Sequence, residues 1–148
     1  MFDIITGTDL LDKAKRELTK YQQQPNSDNL FNLFVTIRHI EDYAKYKFAT
    51  RKSRNKYHKK IEDTFGDLYP WMLFICNKQK HCKVSTGVVG QAMEGGHVQY
   101  AFSGEINGAP LNELPINGGD EYRVEYNGAT YELGQLAAML IGKWENLL

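Results

Sequence analysis

Eleven of the chain's 13 glycines lie after residue 83, and the sign of the charge changes at the same place. Residues 1–83 carry 16 Lys/Arg against 10 Asp/Glu, whereas residues 84–148 carry 2 against 8. Glycine costs backbone entropy inside a helix and supplies the positive φ that tight turns need. The glycine-poor first part therefore favours helices, and the glycine-punctuated second part favours short strands. The expected fold class is α+β. An antiparallel helical bundle over residues 1–83 is followed over residues 84–148 by a small antiparallel β-sheet and a C-terminal helix, packed with the bundle as one domain. A chain of 148 residues buries roughly 70% of the surface its unfolded form exposes, so it needs neither metal nor disulfide to fold.

Apolar spacing places the helices. Leu11, Ala14, Leu18 and Tyr21 recur at steps of three and four, predicting a first helix capped by Thr8 and ended near Pro25. A second, starting at Ser27 or Asp28 and reaching Phe48 or Ala49, carries Leu30, Phe34, Ile37, Ala44 and Phe48 as a stripe widened by Phe31, Leu33 and Ile40. Arg38 and Asp42 stand four apart on it, a spacing that allows an ion pair. Residues 50–60 are a basic connector or the start of another helix. A further helix over about 67–80 has Pro70 in its first turn and is apolar nearly all round at Trp71, Met72, Leu73, Phe74 and Ile75.

After Val84 the period changes to two. Residues 97–102 and 122–126 alternate as half-buried strands do, and Asn127-Gly128 is a strong hairpin signal before a return strand over 129–133. A closing helix of about 13 residues from Gly134 puts Leu136, Ala137, Leu140, Ile141 and Trp144 on one face. No apolar run approaches the 18 or so residues of a membrane span. The start shows no basic segment leading into an apolar stretch, so no signal peptide is expected. With Cys76 on a buried helix, reduced Cys76 and Cys82 in a cytoplasmic protein are the expectation. No cofactor or metal is expected, because the four His and two Cys show no CxxC, HxxxH or HExxH spacing.

Chemistry concentrates between residues 45 and 60. Lys45, Lys47, Arg51, Lys52, Arg54, Lys56, Lys59 and Lys60 occur there without an acid, interleaved with Tyr46, Tyr57 and His58. Such a run is either a solvated connector or a surface for an anionic partner, nucleic acid or acidic protein. Phosphates respond to a dense positive field, and aromatic rings stack on unpaired bases. A second constellation joins two helices. Asn32, Thr36 and His39 share a face at steps of three and four. With Asn77, Lys80 and His81 they would form a polar cluster that binds an anion or holds two helices in register.

Two resemblances sharpen these readings. Arg51-x6-His58 resembles the Arg-x(4–6)-His motif of HEPN-type ribonucleases, which are helical bundles and often dimers. It implies metal-independent RNA cleavage, with His58 exchanging a proton and Arg51 neutralising phosphate. The place after the arginine, often Asn in that family, is Lys52 here. Separately, Phe31-Asn32-Leu33-Phe34-Val35-Thr36-x-x-His39-x-x-Asp42-Tyr43 and Asn77-Lys78-Gln79-Lys80-His81 resemble a group of small prokaryotic and phage helical proteins with an FNxFVTxxHxxD…NxxKH pattern. Tyr43 stands where that group carries Trp. The leading expectation is a non-enzymatic interaction protein that meets an anionic partner through residues 45–60, its acidic part meeting something else or a second copy in a homodimer. The alternative is a HEPN-like endoribonuclease using Arg51 and His58.

Overall fold

The computed structural model describes residues 3–80, 97–101, 121–126 and 129–148. Helix α1 spans Gly7–Gln23, α2 Ser27–Tyr46, α3 Arg51–Phe65, α4 Leu68–Lys80 and α5 Leu133–Glu145. Strands β1 (His97–Ala101), β2 (Glu121–Tyr126) and β3 (Ala129–Glu132) contribute only 5, 6 and 4 residues. β1 pairs antiparallel with β2, Tyr100 opposite Tyr122, and β2 with β3, Tyr126 opposite Ala129. Asn127-Gly128 lies outside the described residues.

The α+β expectation is corrected, because the described chain is predominantly helical. The five helices hold 17, 20, 15, 13 and 13 residues. Every hydrophobic side chain buried among the described residues sits on a helix or in the turn closing α5 at Leu147. From the strands Tyr122 and Tyr131 lean on that core, half-buried. Glycine density says nothing of which elements supply the core, and the second part itself contributes α5.

Local chemistry moves several boundaries. Thr6, not Thr8, caps α1. Its hydroxyl accepts from the Asp9 N–H at 3.2 Å, and the Asp9 carboxylate accepts from the Thr6 N–H at 2.8 Å, a reciprocal box. Those bonds, led by one from the Ile5 N–H, hold the Asp9 carboxyl below its usual range. Asn26, one residue ahead of the expected Ser27 or Asp28, caps α2 through a 2.8 Å bond from the Asn29 N–H. α2 ends at Tyr46, short of Phe48. The segment read as a connector or helix start is α3, capped by the Thr50 hydroxyl. Its buried Tyr57, Ile61 and Phe65 repeat every four residues, so one apolar seam suffices despite the cations. Gly66 ends it at φ 53°, a conformation that costs glycine least, and donates its N–H to Glu62 at 2.8 Å.

One core joins these elements. Leu33, Phe34, Ile37 and Ile40 of α2, Ile61 of α3, Met72 and Ile75 of α4, and Leu136, Leu140 and Trp144 of α5 are fully buried. Phe31 is exposed instead of widening the stripe. Cys76 is buried, its thiol 3.1 Å from the Phe34 carbonyl oxygen. Cys82 and the Phe74 side chain lie outside the described residues. No helix among the described residues is long and apolar enough to cross a membrane.

Glu132 knits the start of α5 to α1. Its carboxylate accepts from the N–H groups of Gly134 at 2.7 Å and Gln135 at 2.8 Å, and from the Tyr21 hydroxyl at 3.2 Å. This leaves no room at Gly134, where a Cβ would meet the Tyr21 ring and a Glu132 oxygen, both at 2.9 Å. Gly134→Ala is therefore expected to destabilise the protein by about 1–3 kcal/mol through overpacking. Alanine's better helix propensity, worth up to about 1 kcal/mol, acts in the opposite direction. Urea unfolding reads the difference, and a more stable Ala variant would refute the close approach.

Candidate functional site

The basic segment divides into cations the protein uses itself and cations it leaves to solvent. The buried seam of α3 leaves Lys52, Lys56, Lys59 and Lys60 exposed: successive residues advance about 100° around a helix, which puts Lys52 and Lys59 opposite the seam and Lys60 at its flank. Arg51, Lys52, Lys56 and Lys60 are exposed, and their side chains make no hydrogen bond or ion pair among the described residues. Lys59 is neutralised by Asp63 at 3.2 Å. Arg54 reaches back over the helix start, donating to the carbonyls of Thr50 at 3.5 Å and Ala49 at 3.4 Å. The first turn of α3 holds no acid. Arg51, Lys52 and Arg54 thus crowd the helix end whose dipole favours negative charge.

Beside this face runs an open groove of about 680 Å³, lined by Phe48, Ser53, Lys56, Tyr57, Lys60 and Thr64. The Phe48 and Tyr57 rings lie 4.9 Å apart at 40°. Lys47 holds its ammonium 5.4 Å from the first ring centre and 5.2 Å from the second, close enough for cation–π attraction. The Tyr57 hydroxyl donates to the Leu147 carbonyl at 3.4 Å, which ties the groove floor to the end of α5. A smaller groove of about 290 Å³ is lined by Lys47, Tyr43, Tyr46, Ile5 and Leu148.

Lys45 and His58 belong to a different construction. Glu41 is 1% exposed, on the inner face of α2. Its Oε2 accepts from Arg38 at 3.0 Å and from the Tyr69 hydroxyl at 3.1 Å; its Oε1 accepts from Lys45. His58 Nδ1 lies 2.8 Å from Oε1 and 3.0 Å from the Lys45 ammonium. A protonated Nδ1 donates to the carboxylate, and a bare one accepts from the lysine. Burial alone would raise the Glu41 carboxyl, but the Lys45 bond and the charge of Arg38 outweigh it and hold the carboxyl below its usual range. Burial, reinforced by the Glu41 charge, pushes the Tyr69 phenol far up, so it stays a donor. Arg38 thus pairs with Glu41 and not with the expected Asp42.

Arg51 and His58 both lie on α3, seven residues and about 10.5 Å of helix rise apart. They make no hydrogen bond to each other; His58 faces Glu41, Tyr69 and Glu62, the last with Nε2 at 3.4 Å. In the expected polar cluster, Thr36 donates to the Asn32 carbonyl at 2.7 Å, and His39 Nδ1 is 2.7 Å from the Val35 carbonyl oxygen. The Asn32 side chain is exposed. The partner that Thr36 finds on another helix is Lys13 of α1, at 2.9 Å, which also bonds the buried Glu17 at 3.1 Å. His81 and the side chains of Asn77 and Lys80 lie outside the described residues.

Two residues escaped the sequence reading. Glu41 stands four after Ile37 and three before Ala44, an acid inside the apolar stripe, and that position was the available signal. Phe48, expected in the apolar stripe of α2, packs half-buried against the core just beyond the helix and also lines the groove, a second role its position did not signal. No family model, curated protein or solved structure matches this chain.

Proposed function

We propose that the protein is a binding module whose α3 face captures a polyanion, with phosphate-bearing nucleic acid as the partner. The observation that carries this reading is the row Lys52, Lys56, Lys60, with Arg51 at its head, all exposed and none opposed by an acid. Four-residue steps place the lysines about 6 Å apart along the helix, a line of point charges able to follow a phosphate backbone. Negative charge on the partner would also relieve the three cations crowded at the start of α3.

Anisotropy of a labelled oligonucleotide, titrated at several salt concentrations, tests it. Affinity is expected to fall steeply with salt. Replacing Lys52, Lys56 and Lys60 together by Gln should flatten the log–log slope by about 2–3, since each neutralised cation contributes roughly 0.7–0.9. These exposed changes leave the fold intact. Absence of binding at low salt would overturn the proposal, and poly-glutamate competing as well as nucleic acid would assign the face to an acidic protein instead.

A further inference from the structure

The lysine row accounts for attraction to phosphate but not for the apolar floor beside it. We infer that the groove between Phe48 and α3 receives an unpaired nucleobase, so that this face selects single-stranded over duplex nucleic acid; the inference rests on the polyanion reading above. A volume of about 680 Å³ falls in the range typical of small-ligand pockets, roughly 300–1,000 Å³. Its floor is aromatic, with Phe48 packed against a Tyr57 whose hydroxyl is tied to Leu147. A base stacks on such a ring whatever its identity, because every base has a π-face.

The polar atoms around the floor suit the same ligand. Lys56 and Lys60 line the groove and carry no acid, and Lys47 holds its ammonium over both rings. The acid among the groove's described lining residues, Asp63, forms an exposed ion pair with Lys59 at 3.2 Å. Charge complementarity favours an anionic occupant, and the half-buried Phe48 ring, packed on a buried Tyr57, favours one with a flat apolar part. A nucleotide unit has both. The Thr64 hydroxyl donates to the Lys60 carbonyl at 2.8 Å. Its oxygen still has lone pairs with which to accept from a base N–H. In a duplex the bases are stacked and paired, so only phosphates could reach this face.

The test compares a single-stranded oligonucleotide, a duplex of the same length and inorganic polyphosphate at one salt concentration. Wild type should bind the single strand about tenfold more tightly than the duplex, in keeping with one stacked base. Phe48→Leu keeps an apolar side chain against Tyr57 but removes the π-face. It should weaken the single strand about tenfold and leave the other two ligands unchanged, whereas Lys56→Gln with Lys60→Gln should weaken all three. A 2-aminopurine placed in the strand should be quenched on binding to wild type, a measurement that needs no variant. Equal affinity for single strand and duplex, or an unquenched 2-aminopurine, would overturn the base site while sparing the polyanion reading. So would a loss in Phe48→Leu shared by all three ligands. If none of the three binds at low salt, both readings fall.

Discussion

Replacing Glu41 with Gln is expected to destabilise the protein by about 3 kcal/mol at neutral pH. Removing one partner of a buried ion pair costs about 3–5 kcal/mol, because the other charge is left without compensation. The lower end applies here, since the Arg38 and Lys45 side chains are each 24% exposed and keep part of their hydration. Gln retains an acceptor for Tyr69 and His58 but not the charge. The effect should depend on pH with a definite sign. The folded Glu41 carboxyl sits below its usual range, so near and below that range the unfolded chain binds the extra proton. Stability therefore rises with pH there. The contribution is complete above the unfolded value and is lost as pH falls through the lower, folded one. Asp9 and Glu17 are held down as well, Glu17 because Lys13 and Lys20 outweigh its burial, so Glu41→Gln should retain a shallower acid slope. Urea unfolding of both proteins from neutral to acid pH reads this directly. A difference that stayed constant across the range would show that the carboxylate is not charged in the fold.

How far the sequence disclosed this arrangement depended on the kind of signal. Leu136, Ala137, Leu140, Ile141 and Trp144 were legible as one face, and all five are buried. Periodicity reports burial whenever the same helix side is apolar over several turns. It failed for α3, where only Tyr57, Ile61 and Phe65 are apolar and eight cations between residues 45 and 60 obscure the seam. The capping box Thr6–Asp9 was present as T-x-x-D, but the competing Thr8 lay closer to the apolar run. Phe48 was readable as apolar, yet whether a ring at a helix end turns inward or floors a groove depends on where α2 stops.

The basic run shows the same limit for function. Its charge was evident from composition, but composition weighs all eight cations equally. In the fold Lys45 is bound to Glu41, Lys59 to Asp63, and Arg54 to backbone carbonyls. Among the described residues five exposed cations, Lys47, Arg51, Lys52, Lys56 and Lys60, have no acidic partner, and Lys47 lies over the Phe48 and Tyr57 rings. His58, legible as a candidate proton carrier, is oriented by a carboxylate 17 residues away on another helix. That pairing is set by packing, and spacing within α3 could not disclose it.

Trp144→Ala should be the most damaging single change in the core, costing about 3–5 kcal/mol. The indole is fully buried and meets the Phe65 ring edge-on, 5.1 Å between centres, so it couples α5 to the end of α3. The loss should spread through the whole transition. Leu136, Ala137 and Leu140 share one buried cluster with Leu33 and Phe34 of α2, so α5 cannot detach without opening that core. Circular dichroism should show a single cooperative unfolding at lower urea, not early loss of one helix ahead of an unchanged main transition. Trp144→Phe separates packing from polarity. The buried indole N–H has no hydrogen-bond partner among the described residues, and leaving such a donor unsatisfied costs about 1–3 kcal/mol. Phe removes that donor while keeping an aromatic ring against Phe65, so the two effects partly offset and the Phe variant should lose less than half of what Ala loses. Equal destabilisation by Phe and Ala would mean that the indole's full shape, including the N–H edge, is what the core requires.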